Sequence, residues 1–288
     1  MTTAYECHAH IMANAVSYAS ALELHKDAPN EEAVRSALLA YRNAGVTFVR
    51  DGGDRLGVSR LAKSLAEEYG IDYRTPLFIL HREGFYGSMY GHGYRDPGEA
   101  RKLIAKAKRD GADFIKIAVT GMLDFACAGK IIGSGIDSGE PVPAAELSEL
   151  VRIANGEGFA VMAHCNGAQS IKTALHAGIS SLEHGFFADD ECIEMLRETG
   201  TVWIPTCVTV ANNLDGSRFP TNVMRSILDA HSAALRRAAE RGVLIACGSD
   251  AGAYNVPHGR GAHDESTFLT SLGINTAAGN ARIAEVFA

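Results

Sequence analysis

The chain has 288 residues, 47% of them hydrophobic, and a formal net charge of -7. That length and apolar content allow one large buried core of the size a single barrel domain commonly has. The acidic balance offers no basic stripe to neutralise phosphates, which argues against a nucleic-acid partner. No run approaches 18 consecutive apolar residues, and the opening residues lack the basic stretch and apolar run of an export leader, so a cytoplasmic protein away from membranes is expected. The six cysteines, Cys7, Cys127, Cys165, Cys192, Cys207 and Cys247, form no CxxC pair and are read as reduced thiols.

In chain order, short apolar runs alternate with amphipathic stretches. Strand-like runs at 4–8, 46–51, 73–80, 113–119, 159–164, 180–184, 201–205 and 243–249 are separated by helix-patterned segments at 31–43, 59–68, 97–109, 144–155, 168–176, 189–198 and 222–241. Several helices end in a glycine just before the next strand, among them Gly45, Gly111, Gly158, Gly178, Gly200 and Gly242, as a left-handed C-cap requires. Eight such units predict an α/β fold, a closed (β/α)8 TIM barrel occupying 1–288 as one domain. No GxGxxG follows the first strand to suggest a nucleotide site. Two excursions, 81–94 and 121–143, follow strands and belong to the C-terminal face of the barrel as candidate lids or walls.

The polar residues of interest share one placement, the C-terminal end of a predicted strand. His8 and His10 stand at i and i+2, which puts both imidazoles on one face of an extended strand. Lys116 lies inside the apolar run Phe114-Ile115-Lys116-Ile117-Ala118, where an ordinary ammonium meets a heavy desolvation penalty. His164, His184 and Asp250 close three later strands. Taken singly, each has a bland reading: a chance HxH, a core histidine, an edge-strand lysine, a helix-capping aspartate. Independent accidents would not all fall at the same end of successive strands, and nitrogen and oxygen donors of this mix suit zinc or a similar divalent ion.

These residues stand in an order that resembles the amidohydrolase superfamily, on His8-Ala9-His10, the strand lysine Lys116, Ala163-His164, Glu183-His184-Gly185 and Gly248-Ser249-Asp250-Ala251-Gly252. With Gly45-Val46-Thr47-Phe48-Val49-Arg50-Asp51, the match looks like the branch of imidazolonepropionases and Xaa-Pro dipeptidases. The resemblance implies two divalent ions, zinc first, with Mn, Fe or Co as alternatives. His8, His10 and Asp250 would hold the buried ion and His184 and His164 the exposed one; Lys116, carboxylated by carbon dioxide, would bridge them. A metal-activated hydroxide would then attack an amide, cyclic amide or dipeptide-like bond, with Asp250 moving the proton to the leaving amine and His184 and Lys116 completing the catalytic set.

His81, Tyr86, Tyr90 and His92 in the first excursion, and Asp124, Asn166 and His258 just past later strands, are candidate substrate contacts. His25, His176, His231 and His263 are read as surface histidines. Relatives of this kind usually carry a small β-sandwich made from segments flanking the barrel; with the HxH at residue 8 that domain is expected to be absent, and a homodimer to cover the surface it would leave. Competing functions are a lactonase or esterase on the same ligands, a mononuclear deaminase, disfavoured because no HxxE follows His164, and a non-catalytic truncated barrel.

Overall fold

The computed structural model describes residues 4–135 and 137–288. Strands β1 (Tyr5–Ala9), β2 (Phe48–Asp51) and β3 (Asp72–Arg74) form one parallel sheet. A second, also parallel, orders β11 (Val202–Ile204), β10 (Ser181–His184), β9 (Val161–Cys165), β6 (Ile115–Ala118), β4 (Ile79–Arg82) and β5 (Gly91–Tyr94). The two are seams of one ring. On one side the segment 244–251 bonds to both sheets: Trp203 N donates to Leu244 O and Ala246 N to Trp203 O, while Cys7 N donates to Cys247 O and Asp250 N to His8 O. On the other side β3 and β4 are two pieces of one crossing strand, broken at Thr75-Pro76-Leu77, with β3 pairing to β2 and β4 to β6. Proline has no N–H for the ladder, and Leu77 turns at φ 68°, so the predicted strand 73–80 changes neighbours at this point.

The helices cover the outside and follow their local signals. Helix α2 (Glu31–Asn43) starts where Asn30 accepts from Ala33 N, and α4 (Pro97–Arg109) where Asp96 accepts from Glu99 N with proline in its first turn. Helices α3 (Val58–Leu65), α5 (Ala144–Gly156), α6 (Ala168–Ala177), α7 (Asp190–Thr199) and α9 (Thr221–Glu240) complete the units read from the sequence. Three more go beyond that reading: α1 (Tyr18–Leu24) after β1, the single turn α8 (Val208–Ala211) after β11, and α10 (Arg260–Ser271) after the eighth strand position. Helix α11 (Ala277–Val286) closes the chain. The six glycines named above all have positive φ.

Period-two alternation sorts the strand residues. Ile117, Val161, Ala163, Leu182 and Trp203 face outward into the helix layer. Phe48, Phe114, Met162, Val202, Ile204 and Ala246 meet one another inside, with Phe287 set among them. One step further along the same strands, toward their C-terminal ends, stand Arg50, Lys116 and His164. The excursions are tied together above that end: Ser88 Oγ donates to Asp137 Oδ2 at 2.6 Å and Tyr86 N to Ser138 O. The second carries the antiparallel hairpin β7 (Met122–Leu123) and β8 (Ile131–Ile132).

All six cysteines are free, five of them buried. Among the described residues no helix is long and apolar enough to cross a membrane. Two histidines depart from the surface reading. His231 is buried on α9, its ring stacked on Phe186 at 4.0 Å with Nε2 3.1 Å from Pro205 O, because α9 presents it to the barrel wall. His25 is buried as well, where its Nδ1 accepts from Asn30 N. His176 and His263 are exposed.

Candidate metal centre

At the C-terminal mouth the polar residues converge. Lys116 Nζ lies 2.9 Å from His8 Nε2 and 3.2 Å from His10 Nε2. Asp250 Oδ1 lies 3.6 Å from the first of these imidazole nitrogens and 3.8 Å from the second. The His184 ring is 4.9 Å from that of His8 and 4.5 Å from that of His164. His8, His184 and Asp250 each offer a ligand atom within 4.8 Å of the other two, a spacing one cation can bridge. His10 and His164 flank this trio, one across Lys116 and the other against His184. Gly52 leaves room for the pair: a Cβ there would fall 2.3 Å from His10 Cε1 and 2.8 Å from Lys116 Nζ.

Burial sets the charge states. It holds His8, His10 and His184 well below the ordinary imidazole range and brings His164 down to about 4, so all four are neutral at pH 7 with lone pairs available to a cation. The same desolvation pushes Lys116 down to about 8 and raises Asp250 to about 6, with the lysine opposing the second shift. Neutral imidazoles, a carboxylate and a lysine easily deprotonated make a donor set that fits divalent zinc-type ions.

The imidazoles are aimed from behind. Glu183 Oε2 sits 2.7 Å from His8 Nδ1, which assigns the ring proton to that nitrogen and turns Nε2 toward Lys116 and Asp250. Its other oxygen accepts from Arg50 Nη2 at 2.8 Å; Arg50 also donates to Ser181 Oγ and to Cys7 O, and all these charges are fully buried. His184 Nδ1 is 2.8 Å from Thr206 Oγ1, and His164 Nε2 is 3.0 Å from Gly121 O. Arg50 and Glu183 stand in the sequence motifs quoted above without a role of their own, and Thr206 stands in none of them. A charged residue in phase with the inward positions of an apolar strand was the available signal for the first two.

The cluster floors a cavity of about 360 Å³. Of the candidate substrate contacts, Tyr86, Tyr90 and Asn166 line it, with Tyr86 4.9 Å from the His164 ring and Tyr90 4.7 Å from His10. The others are engaged elsewhere. His81 Nδ1 lies 3.0 Å from Arg82 O, His92 stands edge-on to Phe78, and Asp124 caps its own hairpin through Ala126 N. His258 lies between Tyr41 OH and Ala13 O. The remaining wall is mostly apolar and includes Phe125, Phe219 and Tyr254, with the Arg218 guanidinium 4.1 Å over the Tyr254 ring.

The chain resembles several known proteins. Ochratoxinase of Aspergillus niger is 26% identical over 236 residues, covering 77% of this chain and 42% of its own length. An uncharacterised protein of Mycobacterium bovis is 31% identical over 157 residues, covering 50% of this chain and 42% of its own. The chain thus spans less than half the length of these relatives. Among solved structures, a Xaa-Pro dipeptidase with bound methionine in its active site superposes with a TM-score of 0.75 at 24% identity, covering 98% of this chain and 75% of that one. The ochratoxinase crystal structure gives 0.74 at 23%, covering 96% and 68%. The model of the amidohydrolase family matches residues 3–287, and with nearly every described residue inside that match the chain belongs to the amidohydrolase family.

Proposed function

We propose that the chain is a hydrolase of C–N bonds in amides, cyclic amides or dipeptide-like substrates, working with two divalent ions, zinc first among the candidates. Family membership supports the reaction class, as do the names of its relatives, an ochratoxinase and a Xaa-Pro dipeptidase. The observation that carries the proposal is the meeting of the neutral imidazoles of His8 and His184 with the Asp250 carboxylate beside a buried lysine at the floor of the cavity.

His8, His10 and Asp250 would hold one ion and His164 and His184 the second, with Lys116 between them. When bound, such ions polarise a carbonyl and make a water acidic enough to attack it near neutral pH. The chain's own residues supply the rest. A lysine brought down to about 8 keeps a neutral amine fraction at pH 7, and that amine can add to carbon dioxide. The N–C bond forms as a C=O π bond of carbon dioxide opens, two protons leave to water in all, one from the ammonium and one on carbamate formation, and the buried cation would become an anionic oxygen donor. Asp250, raised to about 6, is ionised at neutral pH yet basic enough to receive a proton from the attacking water and return it to the leaving amine. Tyr86, Tyr90 and the apolar wall exclude bulk water from the scissile bond.

The test is release of amine by zinc- or manganese-loaded protein from panels of dipeptides, N-acyl amino acids and cyclic ureides. Turnover lost in Asp250→Asn is the expected result. Full metal loading with no turnover on any panel contradicts the reaction class, and failure to take up metal contradicts the centre.

A further inference from the structure

Period-two alternation on β10 turns Ser181 and Glu183 into the barrel, where both bond to Arg50. His184 is therefore out of phase, and a regular strand would point it outward like Leu182. It reaches the cavity because its backbone leaves the strand at φ 66°. Such a conformation is unfavourable for a residue with a side chain and persists only where its surroundings impose it. Two groups do so, one on β11 and one in the loop after it. Trp203 Nε1 donates to His184 O at 2.8 Å, and Thr206 Oγ1 meets its Nδ1.

Thr206 is itself fully buried at φ 50°, an outlier for a β-branched residue. Its loop is pinned by Glu265 on α10, whose two oxygens accept from Cys207 N at 3.0 Å and Val208 N at 2.9 Å.

We propose that Thr206, locked by Glu265, is a positioning residue that fixes His184 in its out-of-phase orientation, with Nδ1–H donating to the hydroxyl and Nε2 turned to the metal. The inference rests on the metal-centre reading above. Backbone strain at 184 and 206 is the means by which a strand of the wrong phase delivers a ligand.

Three variants test it: Thr206→Ser keeps the hydroxyl, Thr206→Val keeps the branched shape without it, and Thr206→Gly removes both hydroxyl and strain. Zn²⁺ affinity is read by competition with a chromophoric chelator, alongside melting of the metal-free proteins. Thr206→Ser is expected within about threefold of wild type, and Val and Gly about 10–100-fold weaker. Metal-free Thr206→Gly should melt above Thr206→Val although both bind Zn²⁺ poorly, so affinity and stability part company. Ring ¹⁵N signals of metal-free protein should report the Nδ1–H tautomer of His184 in wild type and Thr206→Ser and its loss in Thr206→Val. Wild-type affinity in Val and Gly, or affinity that simply follows melting temperature across the series, overturns the brace alone. A wild-type protein that takes up no Zn²⁺ overturns the metal centre and the brace together.

Discussion

The two ends of the barrel interior are built on opposite terms. At the N-terminal end Phe48, Phe114, Met162, Val202 and Ile204 close around Phe287, whose ring stands edge-on to Phe114 at 5.1 Å. One residue pair further along β2, β6 and β9, the interior becomes Arg50, Lys116 and His164, joined by Glu183 of β10, and each polar atom there needs a partner to offset its lost hydration. Arg50 joins the two regions: its guanidinium bonds to Glu183 above, and lies 4.4 Å from the Phe287 ring below. The lower end supplies stability that is indifferent to chemistry, and the upper end holds charges and strained backbone for their chemistry. The two properties should therefore be separable by mutation.

The largest effect expected is at the lower end. Phe287→Ala removes a fully buried ring and should cost about 3–5 kcal/mol of stability by chemical denaturation, while the remaining folded protein keeps its metal content. Metal lost in proportion to stability would show that the ends are not separable. The converse change is Lys116→Met at the mouth. Replacing a buried charge by an apolar side chain of similar length should leave metal-free stability unchanged or raise it by about 1–4 kcal/mol, and turnover should fall about 10²–10³-fold. A destabilised Lys116→Met would mean that the lysine serves the fold.

Buried carboxylates give a pH signature. Burial raises Glu265 to about 7 from an ordinary 4.5. Below pH 4.5 both folded and unfolded chains hold this proton. Between 4.5 and 7 the unfolded chain releases it while the folded one keeps it, so stability falls as pH rises and levels off above 7. Metal-free protein should lose about 2–3 kcal/mol over that window from this group, and Glu265→Gln should flatten the slope in denaturation curves taken from pH 5 to 8. An equal slope in the variant would place the effect in other groups, such as Glu6, which is raised to about 8. Smallest in stability is Gly52→Ala, whose Cβ would press on His10 and Lys116. It should cost about 1–3 kcal/mol and still weaken Zn²⁺ binding, because the strain falls on the ligands. Unchanged affinity would show that the mouth yields more easily than its packing implies.

How much of this was legible in the sequence follows from where the information is local. Helices α2 and α4 begin where Asn30, Asp96 and Pro97 place them and end just before the left-handed Gly45 and Gly111, because capping is decided within four residues. The inward ranks of β6 and β9 follow directly from alternation, with Phe114 followed by Lys116 and Met162 by His164. The phase of His184 does not, since its inward turn depends on Thr206 and Glu265 from distant segments. His231 resembles a surface residue in Asp229-Ala230-His231-Ser232, and only the docking of α9 onto Phe186 buries it. The same limit governs the loops: which of His81, Tyr86, Tyr90 and His92 reach the cavity depends on how the two excursions tie together through Ser88 and Asp137.

The most direct test is metal stoichiometry. Wild-type protein reconstituted with Zn²⁺, freed of excess ion and measured by elemental analysis, should retain about two ions per chain, and Lys116→Met should retain no more than one. Wild-type protein that emerges without zinc, or a Lys116→Met variant with undiminished content, contradicts a centre in which these side chains grip a pair of cations.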